Sequence, residues 1–265
     1  MKVAVISALV AFAAAATCTQ TTPPKTGLKH YPTTEVGGIE VIDTPIVREI
    51  RELVYKSFPT FLYKHVMRTW LYGAAQMEAN ATLKAEVDIE AHAVATLLHD
   101  LGWDMRKDSP WVTLDHRFEL DGVNGLHKFV TESPNGKGFD WWRLEQMMDG
   151  IRLHGSFNLQ PSKTMTVQMI VNSIQLDNPG VGYPGISNAT LNGLFAAFPN
   201  NDIAAGANET FTWMAVIKPD YTYGTTQEQF GTAYVPGYNA TGHHAFDIIT
   251  AALLANESYV PRPVN

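Results

Sequence analysis

Several polar groups occupy positions where the helical periodicity of this chain calls for apolar ones. In the run from Phe61 to Tyr72, His65 shares a stripe with Phe61, Leu62, Thr69 and Tyr72, the stripe expected to face an interior. His99 and Asp100 close an otherwise apolar run that begins at Ala91. Successive helix positions are about 100° apart, so these two side chains can reach one ion in front of them. Asp177 extends the inward stripe of Ile170, Ser173 and Ile174, just before the helix-breaking Asn178-Pro179-Gly180. A lone buried carboxylate is costly unless it is paired or bound to a cation. His154 ends a fourth stripe, after Trp141, Leu144, Met148 and Ile151. Imidazoles and carboxylates together suit a borderline divalent ion such as zinc, iron or manganese.

Each group also has a purely structural reading. A single histidine on an apolar face is more often a hydrogen-bonded core residue than a ligand, and His-Asp pairs arise by chance. His92, one heptad before His99, reads as a buried hydrogen-bonding side chain. His30, His116, His127, His243 and His244 read as surface or structural. Taken together, His65, His99, Asp100 and Asp177 favour a metal site. One cysteine in 265 residues excludes an intramolecular disulfide framework and any cysteine-cluster zinc site.

The elements that must carry these residues are helical. Ile46, Ile50, Leu53, Val54 and Phe58 mark a first helix, and Pro59 opens a second over 59–79. Further helices are expected at 84–101, 118–131, 140–154 with Asp140 as N-cap, 163–177 and 241–255. Gly102 is read as the C-cap that turns the chain beside the site. Residues 19–45, rich in Thr, Pro and Gly, read as an extended arm. Between about 178 and 240, Gly, Pro, Asn and Tyr abound, so the expectation is a long irregular region with short helices near 189–197 and 225–230. The predicted fold is all-α, a single domain over 46–260.

The order His … His-Asp … Asp resembles the HD-domain superfamily of metal-dependent enzymes. Three segments resemble its cyanamide hydratase group more narrowly: 65–73, Leu97 to Gly102, and Arg117 to Gly122. Ile151 to His154 and Leu176 to Asn178 continue that likeness, which spans roughly residues 45–180. The resemblance implies an HD-type helical bundle and one divalent ion, zinc in cyanamide hydratase itself, held by His65, His99, Asp100 and Asp177. It implies addition of water to a small nitrile-type substrate such as cyanamide, giving urea. A metal acidifies its bound water and polarises the substrate, while a general acid/base moves the protons. Glu119 and His154 are the candidates for that role, although Glu119 also reads as a capping or salt-bridged carboxylate. Arg68 and Arg117 read as substrate-orienting or as partners of Glu119 and Asp121. The alternative activity is a metal-dependent phosphohydrolase, and a non-catalytic protein with a metal staple is the third reading.

Lys2 followed by the apolar run Val3 to Ala16 reads as a secretory signal peptide over residues 1–18. Sequons at Asn80, Asn188, Asn208, Asn239 and Asn256 fit a secreted glycoprotein with N-glycans. The signal peptide, the sequons and the stretch after 180 depart from a cytosolic hydratase. With 45% hydrophobic residues the chain can bury a sizeable core, and a net charge of −7 without a basic run disfavours nucleic-acid or anionic-membrane binding. The expected partner is a small-molecule substrate, with no membrane association after signal cleavage.

Overall fold

The computed structural model describes residues 30–156, 159–177 and 182–257. The expected signal peptide, the start of the arm and the last eight residues lie outside them, as does the side chain of Asn256. Eleven α-helices and one two-stranded sheet make up the described residues, so the fold is all-α. Among them no helix is long and apolar enough to cross a membrane.

The end of the expected arm is a packed hairpin. β1 (Thr33–Val36) pairs antiparallel with β2 (Ile39–Ile42), Val36 opposite Ile39. Gly37 and Gly38, with φ of 61° and 79°, make the left-handed turn that a two-residue hairpin requires. Alternation then buries Ile39 and Val41 on one side, which an unstructured arm would leave in water.

α1 (Pro45–Ser57) and α2 (Thr60–Ala79) follow, with Pro59 at the N-cap of α2 rather than inside its first turn. Every residue of α2 from His65 to Gly73 is buried, which places this helix at the centre of the domain. The expected single helix over 84–101 is two: α3 (Ala81–Glu86) and α4 (Ile89–Leu98). Asp88 divides them, because its carboxylate accepts the Ala91 N–H as an N-cap and receives the Arg143 guanidinium. α5 (Phe118–Glu132), α6 (Trp141–Leu153) and α7 (Met165–Gln175) pack against α4, with α6 also packed on both α5 and α7, and Asp140 caps α6 as expected.

The stretch expected to be irregular is largely helical. α8 (Asn188–Ala197) and α10 (Glu228–Tyr234) lie near the two short helices anticipated, but α9 (Ile203–Ile217) was not foreseen. Its buried positions are Gly206, Thr210, Met214 and Ala215, with Ile203, Ala207, Phe211 and Trp213 half-buried against the core, so glycine and threonine interrupt an otherwise apolar stripe. Packing decides the matter. A Cβ on Gly206 would sit 2.3 Å from the Phe61 ring, and Thr210 returns its hydroxyl hydrogen to the Gly206 carbonyl at 2.9 Å. α11 (Ala245–Glu257) follows.

Lys218, the residue after α9, ties this region to the rest. Its ammonium donates to Asp121 Oδ2 at 2.6 Å and to the Thr113 carbonyl at 3.2 Å, while Thr113 Oγ1 donates to Asp121 Oδ1 at 2.7 Å. Both charged side chains are sealed from solvent, at 1% and 0% exposure. Removing one member of such a pair strands the other, at a cost of about 3–5 kcal/mol. Lys218→Ala is therefore expected to lower the denaturant midpoint strongly. Adding Asp121→Leu should recover part of the loss, and equal additive losses in the double variant would contradict the pairing.

Candidate metal centre

His65 projects from the buried face of α2, and His99 and Asp100 lie where α4 gives way to a 3₁₀ turn over Leu101–Trp103. Gly102 is not a left-handed cap. Its missing side chain admits the Phe118 carbonyl, which a Cβ would approach to 2.4 Å. Gly122 does the same for the His99 carbonyl, at 2.5 Å. Together these two contacts press the start of α5 onto the corner that carries His99 and Asp100.

Three donor atoms meet at that corner. His65 Nε2 and His99 Nε2 are 3.2 Å apart, His65 Nε2 and Asp100 Oδ2 3.3 Å, and His99 Nε2 and Asp100 Oδ2 3.1 Å. Among the described residues these three form the one group of histidine, cysteine or acidic side chains so arranged. Ion–donor bonds of about 2.0–2.2 Å imply donor edges of about 2.8–3.6 Å, so the triangle fits one ion. Hydrogen bonding settles which atoms offer lone pairs. The His99 Nδ1–H donates to the Thr96 carbonyl at 2.8 Å and the His65 Nδ1–H to Asp177 Oδ2 at 2.7 Å, which directs both Nε2 lone pairs inward. Both Asp100 oxygens are buried without a conventional hydrogen-bond donor. Three acceptors facing one point repel each other unless a cation joins them.

The electrostatics agree. Burial alone would push the His65 imidazole down, but the neighbouring carboxylates of Asp100 and Asp177 outweigh it and hold its pKa at about 9. Burial likewise opposes ionisation of Asp100, and the two imidazoles outweigh it, keeping the carboxyl below its usual range. The centre thus favours positive charge, which a bound ion supplies in place of a proton.

Asp177 stands behind the centre rather than in it. Arg68 grips both of its oxygens, Nε to Oδ1 at 2.7 Å and Nη2 to Oδ2 at 2.6 Å, and the Tyr72 hydroxyl donates to Oδ1 at 2.9 Å. With these partners and His65, the carboxylate orients the imidazole instead of joining the donor triangle. Arg68 is also placed differently from its expected substrate-orienting role. It is fully buried, and Nη1 donates to the Pro199 and Phe198 carbonyls at 3.0 and 3.4 Å.

His154 does reach the centre. Its Nδ1–H donates to the Ile151 carbonyl at 2.6 Å, and its Nε2 lies 3.7 Å from Asp100 Oδ1. Burial, helped by His99, holds this imidazole below its usual pKa, so it stays neutral. Glu119, in the first turn of α5, is gripped by Arg117 at 3.0 Å and lies against Gly155, the residue after His154. Asp121 pairs with Lys218 rather than with an arginine. Sequence reasoning passed over Trp103, whose ring lies parallel to that of His65 (6°, centroids 5.9 Å apart), and Phe211 of α9, which meets Trp103 edge-on at 4.9 Å. The position of Trp103 three residues beyond Asp100 was the available signal for the first; nothing in the sequence pointed to the second.

His92 is a core residue. Its Nε2–H donates to Ser173 Oγ at 2.9 Å, Nδ1 has no hydrogen-bond partner, and burial lowers its pKa to about 3. A Cβ on Gly73 would collide with this pair.

Two predictions follow from this geometry. His99→Ala or Asp100→Asn should abolish stoichiometric metal retention, whereas Asp177→Asn, which removes only the orienting charge, should weaken metal affinity about 10–100-fold. Elemental analysis after dialysis against chelators of graded strength distinguishes these; full retention by His99→Ala would refute the donor set. For His92 the folded-state pKa lies below the unfolded value, so the unfolded chain binds the extra proton and stability falls as pH drops from about 6.5 toward 3. Between pH 6.5 and 5 the contribution is about 1–2 kcal/mol. His92→Gln should flatten the pH profile of unfolding free energy by that amount, and parallel profiles would refute the assignment. Among known proteins, neither a family model nor a curated protein matches this chain.

Proposed function

We propose that this protein is a secreted, metal-dependent hydratase of the HD-domain type that adds water to a small nitrile-type substrate such as cyanamide, giving urea. The observation that carries the reading is the inward-facing triangle of His65, His99 and Asp100 with neutral His154 beside it. These three side chains would hold the ion, zinc being the first choice and iron or manganese also suiting the donors. Three protein donors leave a position open, as catalytic zinc sites do and closed structural sites do not.

A divalent ion there supplies Lewis acidity toward the substrate and makes water acidic enough to ionise near neutral pH. The protein supplies the proton transfers. His154 Nε2 carries a lone pair, because its Nδ1–H is committed to Ile151, and it accepts the proton that leaves the attacking water. The water oxygen bonds to the nitrile carbon, one C–N π bond breaks, and the proton passes from Nε2 to the nitrile nitrogen. A second shift from oxygen to nitrogen completes the amide. Glu119 lies on the His154 side of the centre, paired with Arg117, where its charge favours the imidazolium that forms in between.

A phosphate ester needs convergent cations. Arg68, Arg106, Arg117 and Arg152 each close on a carboxylate, which favours a neutral substrate over a phosphorylated one. Secretion is consistent with exposed asparagines in the sequons at 80, 188 and 239. At Asn208 the sequon threonine, Thr210, is buried inside α9.

The test is urea formation from cyanamide by metal-loaded protein, with and without chelator, alongside an aryl phosphate. Chelator-sensitive urea production, reduced about 10²–10⁴-fold in kcat by His154→Ala with metal retained, is the expected result. Hydrolysis of the phosphate ester without urea formation would overturn the reading.

A further inference from the structure

Trp103 lies at the wall of the metal centre with one group unaccounted for. The side chain is 7% exposed, and its indole Nε1–H is buried without an acceptor among the described residues. Its surroundings explain the ring but not the donor. One face lies parallel to His65, while Phe118 and Phe211 meet it edge-on with centroids 5.9 and 4.9 Å away. Phe118 also contacts the His154 ring, at 5.5 Å between centroids. None of these rings presents a conventional acceptor atom to Nε1. An indole N–H can only donate, and burying one unpaired is unfavourable unless something else repays it. A phenylalanine would keep an aromatic ring among these neighbours without that penalty.

We propose that the Trp103 indole N–H is the hydrogen-bond donor that recognises the ligand of this centre, and that Trp103, Phe118 and Phe211 form an aromatic box admitting only a small, slender molecule with an acceptor atom. The box comes from three separate parts of the chain: the 3₁₀ turn after Asp100, the start of α5, and α9. The donor sits on the ring stacked against a metal-holding imidazole, and the proposal places the acceptor of a molecule bound at the centre against Nε1. Because such a donor discriminates by leaving itself unpaired when the acceptor is missing, it selects for acceptor-bearing over purely apolar molecules of the same size. This inference rests on the reading of the centre as a place where a small molecule binds, and it does not require that cyanamide be that molecule.

The experiment compares metal-loaded wild type with Trp103→Phe, using azide as a linear probe that carries an acceptor. Expected are unchanged metal stoichiometry, an undiminished Tm, and azide binding weakened about 10–100-fold by titration calorimetry, the range for a lost hydrogen bond to a charged group. Unchanged azide affinity would overturn the proposal, whatever the fate of cyanamide turnover. Wild-type azide binding without urea formation would instead defeat the hydratase reading and leave the Trp103 comparison valid. If Trp103→Phe loses its metal or fails to fold, wild-type protein with ¹⁵N-labelled indoles and diamagnetic zinc at the centre decides. The indole N–H should move downfield on azide addition, and a stationary resonance would refute the donor role.

Discussion

Asp177 carries a negative charge at 3% side-chain exposure, and the rest of the site depends on how that charge is satisfied. Arg68 meets it with two parallel N–H bonds, Tyr72 adds a third donor, and the fourth position is taken by the His65 Nδ1–H. The last of these fixes the tautomer of His65 and the direction of its free nitrogen. Without the buried carboxylate, the ring could rotate or carry its proton on the other nitrogen. An ion pair of this kind adds little net stability relative to an apolar substitute of equal volume. What it provides here is a single arrangement: α2 and the end of α7 in one register, with one lone pair aimed inward.

His99 is held by a different device with the same outcome. Its ring is anchored to the carbonyl of Thr96, one turn earlier in its own helix, and the backbone around it is fixed by the close approaches at Gly102 and Gly122. One imidazole is thus set by a long-range charge and the other by local backbone. Asp100 completes the triangle with oxygens that no hydrogen bond satisfies. Helix, turn and ion pair converge on a small volume that favours a cation, with the rings of Trp103 and Phe118 packed against its imidazoles.

The legible part of this architecture was the part written in apolar stripes. His65, His99, Asp100 and His154 stood out because a polar residue on a buried face demands an explanation, and all four meet at the corner beside Trp103. Asp177 stood out for the same reason, but periodicity shows only that a side chain points inward, not whether it meets an ion or an arginine. Arg68 lies on the same helix as His65, and its sequence position alone could not distinguish a substrate contact from a buried pair. α9 escaped because Gly206 and Thr210, residues that ordinarily signal a loop or a surface, interrupt its inward stripe of Ile203, Ala207, Phe211 and Met214. Lys218 escaped because a lysine beside a proline reads as a solvated turn, and only the tertiary partner Asp121 makes it a core residue. The hairpin at 33–42 escaped because its polar residues masked a short alternation, which Gly37 and Gly38 close into a turn.

Arg68 also binds the carbonyls of Phe198 and Pro199, about 130 residues further along the chain. A ribosome releases the chain from its N-terminus, so His65, His99 and Asp100 emerge long before the segment that completes the setting of Arg68. Lys218 and the box residue Phe211 emerge later still. The donor triangle therefore cannot reach its final rigidity during most of synthesis, and an ion arriving early meets ligands that are not yet aimed. The final setting of the triangle is a late event in the life of the molecule, and the long sequence separations that delay it also make folding slow relative to a bundle of purely local contacts.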